Sequence, residues 1–535
     1  MTHTLARARA QARAATIYRD LWLWTLGGAV LLLFLVPSSR LAVLPLIAVG
    51  IVGLRRPALV VAVIPVSFPF YDAVSPVTHL RLDRTALLVT VALIATVGHV
   101  LLAIAPTFVP GIMRFATAIV GETWTHAEVR ALPNDTRAFL RRPGTWAAVA
   151  LLALGALSLF TLADVAHRGD SIRQFRTTIL YPVAFFLLAA AVFESARTRA
   201  VAPIVLLLAV DALVLSGVII ACIGFWQFAR GVGLGVEGVR RVRSIFHHPN
   251  EVALYLGRIV PVTAAYVLLG PKDTRRALYL ASTVIMLGAI GLSFSRGGYV
   301  AVAAALLVVL IAARNRIWVW GYLVVLFVGL VAALASGRER FTSLLSPGTG
   351  SEELRIAIWH SAAQMIRDHP IWGVGLDQFV TQYAPRYVDP AGWYERFTSH
   401  PHNIVLDFYV RLGLLGLWWL VFTLPPMLLR GWRAAMRLRN NATETTNVGT
   451  GNVQFALTLG AVGALVDFTI HGFVDQGYFL HMLAFGFWFA VLIIRLGYTA
   501  AFSLPQPAVG ALGPAPRVTR PPATAILRKQ TRIAP

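Results

Sequence analysis

Apolar residues fill long runs along most of the chain, and short breaks rich in arginine, glycine and proline separate them. The runs are about 15–25 residues long, which is the length an α-helix needs to cross a ~30 Å hydrocarbon core. The alternation of polar and apolar positions that marks spanning β-strands is missing. The pattern therefore predicts an all-α, polytopic transmembrane bundle of about 12–14 spans.

The apolar runs give the expected position of each span. We place spans at residues 21–36, 41–54, 57–71, 86–109, 146–166, 178–195, 202–226, 252–269, 277–293, 298–313, 317–336, 403–429, 454–474 and 477–497. The second and third are short and are compatible with a re-entrant or tilted hairpin.

The composition agrees with membrane insertion. The 535 residues are 57% hydrophobic and 13% charged, with a mean hydropathy of +0.69. A soluble chain of this length does not bury that much apolar surface. The single cysteine, Cys222, excludes an intramolecular disulfide and cysteine-based metal sites.

The net charge of +23 does not indicate a nucleic-acid partner, because the arginines are scattered through the breaks between spans. With a cytoplasmic N-terminus, alternate breaks carry most of the basic clusters, as the positive-inside rule requires. We predict a basic cytoplasmic N-terminus at 1–20, a transmembrane domain at 21–498 and a disordered basic cytoplasmic tail at 499–535. The first apolar run has no cleavage site, so it is expected to remain as a helix.

The opposite, outer side receives the breaks at 72–85, 167–177, 227–251, 294–297 and 337–402. The last is the longest, and a helix is predicted within it. Its apolar face comprises Leu354, Ile358, Ala362, Met365 and Ile366. We expect this helix to lie on the membrane surface, followed by a Gly-x-Gly turn and an aromatic stretch that ends at His402, at the mouth of a span.

Four local patterns carry a resemblance to a known family: RSIFHHPNE, FSRGGY, DHPIWGVGLDQF after the amphipathic helix, and HPHN at the start of a span. From about Phe246 to Gly416 the chain resembles the O-antigen ligase and polymerase family of bacterial envelope assembly. Ligases of that family show a histidine followed by Asn, Ser or Gln, then nine residues, a glycine, two further residues, and a Gly, Thr or Tyr. His402, Asn403, Gly413 and Gly416 fit that spacing. The Arg-x10-Gly spacing of the polymerases is not found in the outer breaks, which favours a ligase.

The resemblance implies a polytopic protein of the bacterial inner membrane with its active site on the periplasmic face. It implies an inverting transfer, without metal or cofactor, of a glycan from undecaprenyl diphosphate to lipid A-core or another glycan acceptor. Arginine suits the diphosphate because its planar fork pairs with two phosphate oxygens. Arg296 and Arg243, with Arg240 and Arg241 beside the latter, are the candidate diphosphate ligands; the alternative is contact with lipid headgroups.

A base is the second requirement, and His402 is the candidate. Histidine has an ordinary pKa of about 6.5, so a neutral imidazole can accept the proton of an attacking hydroxyl. The alternatives are a histidine bonded to backbone, or a His400/His402 metal pair that lacks a companion carboxylate at ligand spacing. Asn403 and Asp475 are assigned to the substrate, with Asp475 orienting a sugar or pairing with an arginine.

Other polar residues receive lesser roles. Asn250 is expected to cap the helix after the HHPN turn, which also explains His247 and His248. Asp467 and His471 lie beside Asp475 at the outer end of the last hairpin. The aromatic residues before His402 suit either sugar stacking or interfacial anchoring.

Three other functions compete with a ligase. A polymerase joins lipid-linked repeat units. A transporter or flippase for lipid-linked sugars makes no bond, but its usual repeated halves are not seen. A metal-dependent glycosyltransferase would use Asp72 and Asp83, but no paired Asp-x-Asp is present there.

Overall fold

The computed structural model describes residues 21–35, 39–70, 83–120, 136–161, 167–195, 202–236, 238–336, 351–444 and 448–503, with isolated residues 123, 125 and 129. The predicted N-terminus 1–20, Asp72, residues 337–350 of the longest outer break and the chain after residue 503 lie outside the described residues.

The first half of the chain is helical. Its helices are α1 (Leu21–Leu35), α2 (Ser39–Arg55), α3 (Pro57–Val63), α4 (Arg84–Ile104), α5 (Met113–Val120), α6 (Thr145–Thr161), α7 (Arg168–Gln174), α8 (Tyr181–Glu194) and α9 (Ala202–Ala229). Short 3-10 turns follow α3 at Ile64–Ser67 and α4 at Ala105–Thr107, a third lies at Pro110–Ile112, and a π-helical turn at Phe175–Leu180 joins α7 to α8.

The second half continues the bundle. Its elements are β1 (Leu234–Val236), β2 (Val239–Arg241), α10 (Pro249–Leu269), α11 (Thr274–Ser293), α12 (Arg296–Ala312), α13 (Arg316–Ala335), α14 (Ser351–Asp368), α15 (Phe379–Arg386), a 3-10 turn (Pro390–Glu395), α16 (Ile404–Glu444), α17 (Val448–Gly472) and α18 (His481–Ser503).

The all-α, polytopic prediction is confirmed. Within the described part of the chain, nine helices are long and apolar enough to span a membrane, and five shorter apolar helices accompany them. Each predicted span coincides with one of these helices. The bounds differ most at α16, which continues past the predicted end at 429 to Glu444, and before α8, where continuous helical turns begin at Arg168. Helix α18 also makes residues 499–503 of the predicted disordered tail helical.

Two outer breaks hold regular structure that the sequence pattern did not indicate. The 167–177 break is mostly helical, because α7 runs through a π-helical turn into α8. The 227–251 break contains the antiparallel pair β1–β2, with Leu234 opposite Arg241. Strands of three residues are too short to show a period of two.

Helix α10 lies at the centre of the bundle and packs against α11, α12 and α17. Small residues permit the closest approach. A Cβ built on Gly460 of α17 would lie 2.6 Å from the Cα of Val262, so any larger residue there would separate the two helices. By contrast, α13 buries none of its residues in the protein and is the most peripheral described span.

The predicted amphipathic helix is present as α14, but its apolar face packs against protein. Helix α14 buries Ile358, Ala362 and Met365 in a cluster that also contains Phe379 and Tyr383. Its apolar face is therefore covered by the rest of the outer segment. A helical hydrophobic stripe specifies an apolar partner without specifying whether that partner is lipid or protein.

The outer segment is fixed to α16 through a kink at Gly413, where φ is 67° and ψ is −161°. The amide of Val374 donates to the carbonyl of Val410 over 2.7 Å, and the amide of Leu414 donates to the carbonyl of Ile371 over 3.0 Å. The backbone of the outer segment thus provides hydrogen-bond partners for the carbonyl of Val410 and the amide of Leu414, which lose their partners within the helix at the kink. The motif glycine is explained by this contact, since a Cβ on Gly413 would collide with the Ile371 carbonyl.

Gly413→Ala should destabilise the protein. The φ and ψ of Gly413 lie in a region essentially confined to glycine, which costs a residue with a Cβ about 1–3 kcal/mol, and the collision with Ile371 adds to that cost. We expect a clearly lower Tm for the purified protein in detergent. Gly329→Ala is the matched control, because a Cβ there meets nothing within 4 Å; equal Tm values for the two variants would contradict this account.

Candidate active site around Asp475

Four predicted outer breaks meet at one end of the bundle, called here the site end. Ser171 donates to the carbonyl of Leu376 over 2.7 Å, and Arg241 donates to the carbonyl of Ser293 over 2.8 Å. Arg296 lies 3.5 Å from Glu352. Segments far apart in sequence therefore form one polar surface beside His402.

The carboxylate of Asp475, in the turn between α17 and α18, lies at the centre of this surface. Its Oδ1 is 3.3 Å from Nδ1 of His402 and accepts the amide N–H of Gln476 over 2.8 Å. Its Oδ2 accepts from the side-chain amide of Asn250 over 2.5 Å and lies 3.9 Å from Arg355. Asp475 thus joins four separate parts of the chain.

Asp475 is 5% exposed and remains ionised. Burial alone would raise the pKa of its carboxyl, but the imidazoles of His400 and His402 and the guanidinium of Arg355 outweigh burial and hold the pKa well below its ordinary value. An ionised Oδ1 favours the His402 tautomer with a proton on Nδ1. That tautomer leaves the Nε2 lone pair free to accept a proton, with the Thr398 hydroxyl oxygen 3.4 Å away.

His402 has a strained backbone, with φ at 50°. Such a conformation in a non-glycine residue costs about 1–3 kcal/mol and persists only where neighbours enforce it. Asn403 is one enforcer: its oxygen caps α16 at Val405 and Leu406, and its NH2 donates to the carbonyl of Phe473 over 3.0 Å. The predicted substrate residue Asn403 is thus engaged within the protein, where it positions His402.

The expected cap at Asn250 is wrong. His248 caps α10 through Nδ1, which accepts the amide N–H of Asn250 over 3.2 Å. The side chain of Asn250 instead bridges Asp475 and the buried Arg241, whose guanidinium donates to it over 2.5 Å. The side-chain amide of Asn250 therefore bonds to the charged groups of Arg241 and Asp475, and not to the backbone at the start of α10.

The three arginines of β2 and the following turn have different environments. Arg241 is buried and its donors are used by Ser293 and Asn250. Arg240 is exposed and donates to the carbonyl of Gly231. Arg243 is exposed, and its guanidinium makes no hydrogen bond or ion pair with the described residues. Arg243 is therefore the member of the trio that an anionic ligand can reach most easily.

Arg296 and Arg355 approach the centre from two helices. Arg296 opens α12, and its side chain is 12% exposed beside Glu352 of α14. Arg355 follows Glu352 by one helical turn and reaches Asp475. Glu352 and Arg355 lie three residues apart on one face of α14. Glu352 contacts Arg296, and Arg355 contacts the carboxylate that holds His402, so one turn of α14 links Arg296 to the Asp475–His402 pair.

Sequence reasoning missed Arg355 and Arg411. Arg411 is 1% exposed and donates to Asp407, Gln174 and the carbonyl of Ser399 over 2.6, 2.7 and 2.7 Å. It thereby holds the segment before His400 against α16 and α7. A signal was available, because an arginine inside a predicted span is costly unless it is paired.

The structure supplies the carboxylate that the His400/His402 pair lacked. Ligand atoms of His400, His402 and Asp475 lie within 4.8 Å of one another, and could hold a metal ion. The expectation that no carboxylate stands at ligand spacing is wrong. Asp475 follows His402 by 73 residues in the sequence, but the fold places its carboxylate beside both histidines. Arg355 beside it opposes a cation there.

The remaining candidates take different places. Asp467 and His471 are buried on α17, and their side-chain polar atoms have no hydrogen-bond partner among the described residues; His471 lies against Gly297 and Gly298. Asp83 caps α4 by accepting from the amide of Ala86 over 2.7 Å.

The aromatic stretch divides into two parts. Tyr383 is buried against Phe379. Trp393, Tyr394 and Phe397 are 56%, 88% and 71% exposed, so these three are free to contact sugar or lipid.

Acid should weaken the fold in part through His400. Burial and the neighbouring His402 lower the pKa of His400, so the unfolded chain, with histidines of pKa about 6.5, takes up a proton first. The stabilising effect is complete above about pH 6.5 and is lost as the pH falls below it. His400→Gln, which stays neutral, should show a smaller decrease in Tm between about pH 7.5 and pH 5 than the wild type.

The control for that measurement is His360→Gln, at an exposed histidine on α14. It should keep the wild-type pH dependence in thermal unfolding of the purified protein. A His400→Gln profile parallel to the wild type would contradict the role assigned to His400.

Comparison with known proteins supports the resemblance. Residues 281–421 match the family model described as O-antigen ligase, which supports the resemblance to the O-antigen ligase and polymerase family. The match includes Arg296, Arg355, His402 and Gly413 and begins after the RSIFHHPNE pattern. No curated protein matches the chain.

Proposed function

We propose that this chain, whose residues 281–421 match the O-antigen ligase family, is an inverting, metal-independent glycosyltransferase. It moves a glycan from undecaprenyl diphosphate to an acceptor such as lipid A-core. The single observation that carries the proposal is His402 held by the ionised Asp475, with Arg355 beside that carboxylate and Arg296 beside Glu352, one turn earlier on α14.

The donor requires a site for two linked phosphates at the membrane surface. The guanidinium of Arg243 is exposed and has no hydrogen-bond or ion-pair partner among the described residues. Arg296 lies 3.5 Å from Glu352, a contact that a phosphate can replace. Guanidinium groups stay charged when partly desolvated and bind phosphate through two parallel hydrogen bonds. These two residues are our proposed diphosphate ligands, with Arg240 at the edge and Arg241 as support.

The acceptor hydroxyl requires a base. Nε2 of His402 takes the hydroxyl proton as the acceptor oxygen attacks the anomeric carbon from the side opposite the diphosphate. The new carbon–oxygen bond forms, the bond to the phosphate oxygen breaks, and the diphosphate leaves with its electron pair against the arginines. Asp475 holds Nδ1 and stabilises the imidazolium that results.

The cellular arrangement is also a proposal. The positive-inside pattern supports cytoplasmic N- and C-termini in the bacterial inner membrane, with the site end facing the periplasm. The donor, the acceptor and the bilayer are then the partners, and nucleic acid is not among them.

His402→Ala should abolish transfer while the protein still inserts in the membrane. Asp475→Asn should lower kcat by about 10²-fold or more, because an amide can donate to Nδ1 and select the other tautomer. Both are measured with purified protein, lipid-linked donor and acceptor. His360→Ala, at an exposed histidine, should keep full activity, and full activity in His402→Ala would refute the general base.

Arg296→Gln and Arg243→Gln should each lower kcat/KM by about 10- to 100-fold, since each removes charged hydrogen bonds to the leaving group. Arg296→Lys should recover only part of the loss, because an ammonium lacks the planar fork. Arg230→Gln removes an exposed arginine near the site end and should have little effect. Equal losses at all three positions would indicate a general charge effect instead.

A polymerase fits the same chemistry, with another lipid-linked repeat unit as the acceptor. Loss of a ligase leaves polymer on the undecaprenyl carrier, whereas loss of a polymerase leaves single capped units. The glycans that accumulate after gene deletion therefore decide between them. A transporter or flippase for lipid-linked sugars would give no glycosylated product in the purified assay.

A metal-dependent transfer is a second candidate because His400, His402 and Asp475 can converge on one ion. In that case one ring nitrogen of His402 binds the metal and the other carries a proton, so the imidazole cannot act as the base. Activity that survives EDTA supports the base mechanism, and activity that EDTA removes and a divalent cation restores supports the metal.

A further inference from the structure

A groove lies between α6 and α16, away from the Asp475 site. Its volume is about 740 Å³, and its walls include Ala150, Leu154 and Leu157 of α6 and Leu415 and Trp418 of α16. The indole N–H of Trp419 donates to the carbonyl of Ala147 over 2.7 Å and joins the two helices. The groove is therefore a largely apolar channel between two spans.

One end of the groove, called here the basic end, is lined by Arg141, Arg142 and Arg430. Arg142 is neutralised by Glu194 at 2.6 Å. The guanidinium groups of Arg141 and Arg430 are exposed and make no ion pair or hydrogen bond with the described residues. Among the described residues, no acidic side chain lines the groove, so the charges of Arg141 and Arg430 are not neutralised there by a described carboxylate.

The basic end and the site end lie on opposite sides of the membrane. Helix α16 begins at Ile404, beside His402. At about 1.5 Å per residue, Arg430 lies up to about 39 Å further along this helix, which exceeds the ~30 Å hydrocarbon core. An occupant of the groove therefore belongs to the leaflet away from His402.

The length of the groove selects the kind of occupant. From Trp146 to Leu157 the wall extends about 17 Å along α6, a little more than half of a ~30 Å hydrocarbon core. One chain of a single-leaflet lipid fits that length, with its headgroup at the arginines. A long polyprenyl chain exceeds it.

We propose that the groove binds an anionic glycerophospholipid, with its phosphate against Arg141 and Arg430 and one acyl chain between α6 and α16. Guanidinium groups at this depth favour a phosphate ester, and the lack of acidic residues removes any penalty for negative charge. The bound lipid fills the space between α6 and α16. It takes no part in the transfer reaction.

Native mass spectrometry of the full-length protein tests the proposal after delipidation in detergent and titration with phosphatidylglycerol or phosphatidylcholine. Phosphatidylglycerol should bind more tightly. The double variant Arg141→Gln and Arg430→Gln should bind it about thirtyfold more weakly, near the phosphatidylcholine level. Ala150→Trp should block both lipids by filling the groove.

Two controls match these variants. Lys272→Gln with Arg316→Gln removes the same charge from exposed positions outside the groove, and Ala332→Trp adds an indole to the exposed surface of α13. Both should keep wild-type binding.

The proposal is overturned if the two lipids bind equally, if the Arg141/Arg430 variant keeps its affinity, or if the charge control loses as much. Tighter binding of a polyprenyl phosphate than of phosphatidylglycerol, in competition at equal concentration, would also overturn it.

Discussion

The buried, ionised carboxylate of Asp475 is the constraint on which the site depends. A carboxylate removed from water is tolerated only where hydrogen bonds and positive charge compensate it. The compensation comes from the amides of Asn250 and Gln476, the imidazole of His402 and the guanidinium of Arg355. Each donor belongs to a different element. The start of α10, the mouth of α16, the first turns of α14 and the turn before α18 are therefore held in one arrangement, and the tautomer of His402 follows from the same contact.

A second constraint fixes the outer segment above the membrane helices. The kink at Gly413 exposes backbone groups of α16, and the loop backbone at Ile371 and Val374 pairs with them. Arg411, about two turns into α16, adds three further bonds that reach Asp407, α7 and the residues before His400. The strained backbone of His402 persists because these contacts and the Asn403 cap define the chain on both sides of it. A rigid loop suits the general base that we propose at His402, because such a base must keep its orientation.

The arginines divide the molecule into two chemically different ends. At the site end, Arg241 and Arg411 are engaged in internal hydrogen bonds, whereas Arg243 is exposed and Arg296 lies 3.5 Å from Glu352. At the basic end, Arg495 and Arg142 share Glu194, and Arg141 and Arg430 remain open at the groove. At both ends, some arginines are bound to internal partners and others are exposed. The chain can therefore expose arginines at its two ends while the buried arginines keep hydrogen-bond and ion-pair partners.

Apolar run length alone determined the class of fold and the position of each span, because the thickness of the hydrocarbon core leaves no other solution for such runs. The motif around residue 402 likewise indicated the base and the glycine of the kink, since both depend on local spacing. Tertiary structure decided what lies beside them. Asn250 left its expected capping role for Asp475, α14 buried its apolar face in protein, and Arg355 joined the site, and none of these contacts is encoded within a few residues of chain. Long-range pairing of polar groups depends on which helices become neighbours, and a one-dimensional pattern of hydrophobicity carries no record of that choice.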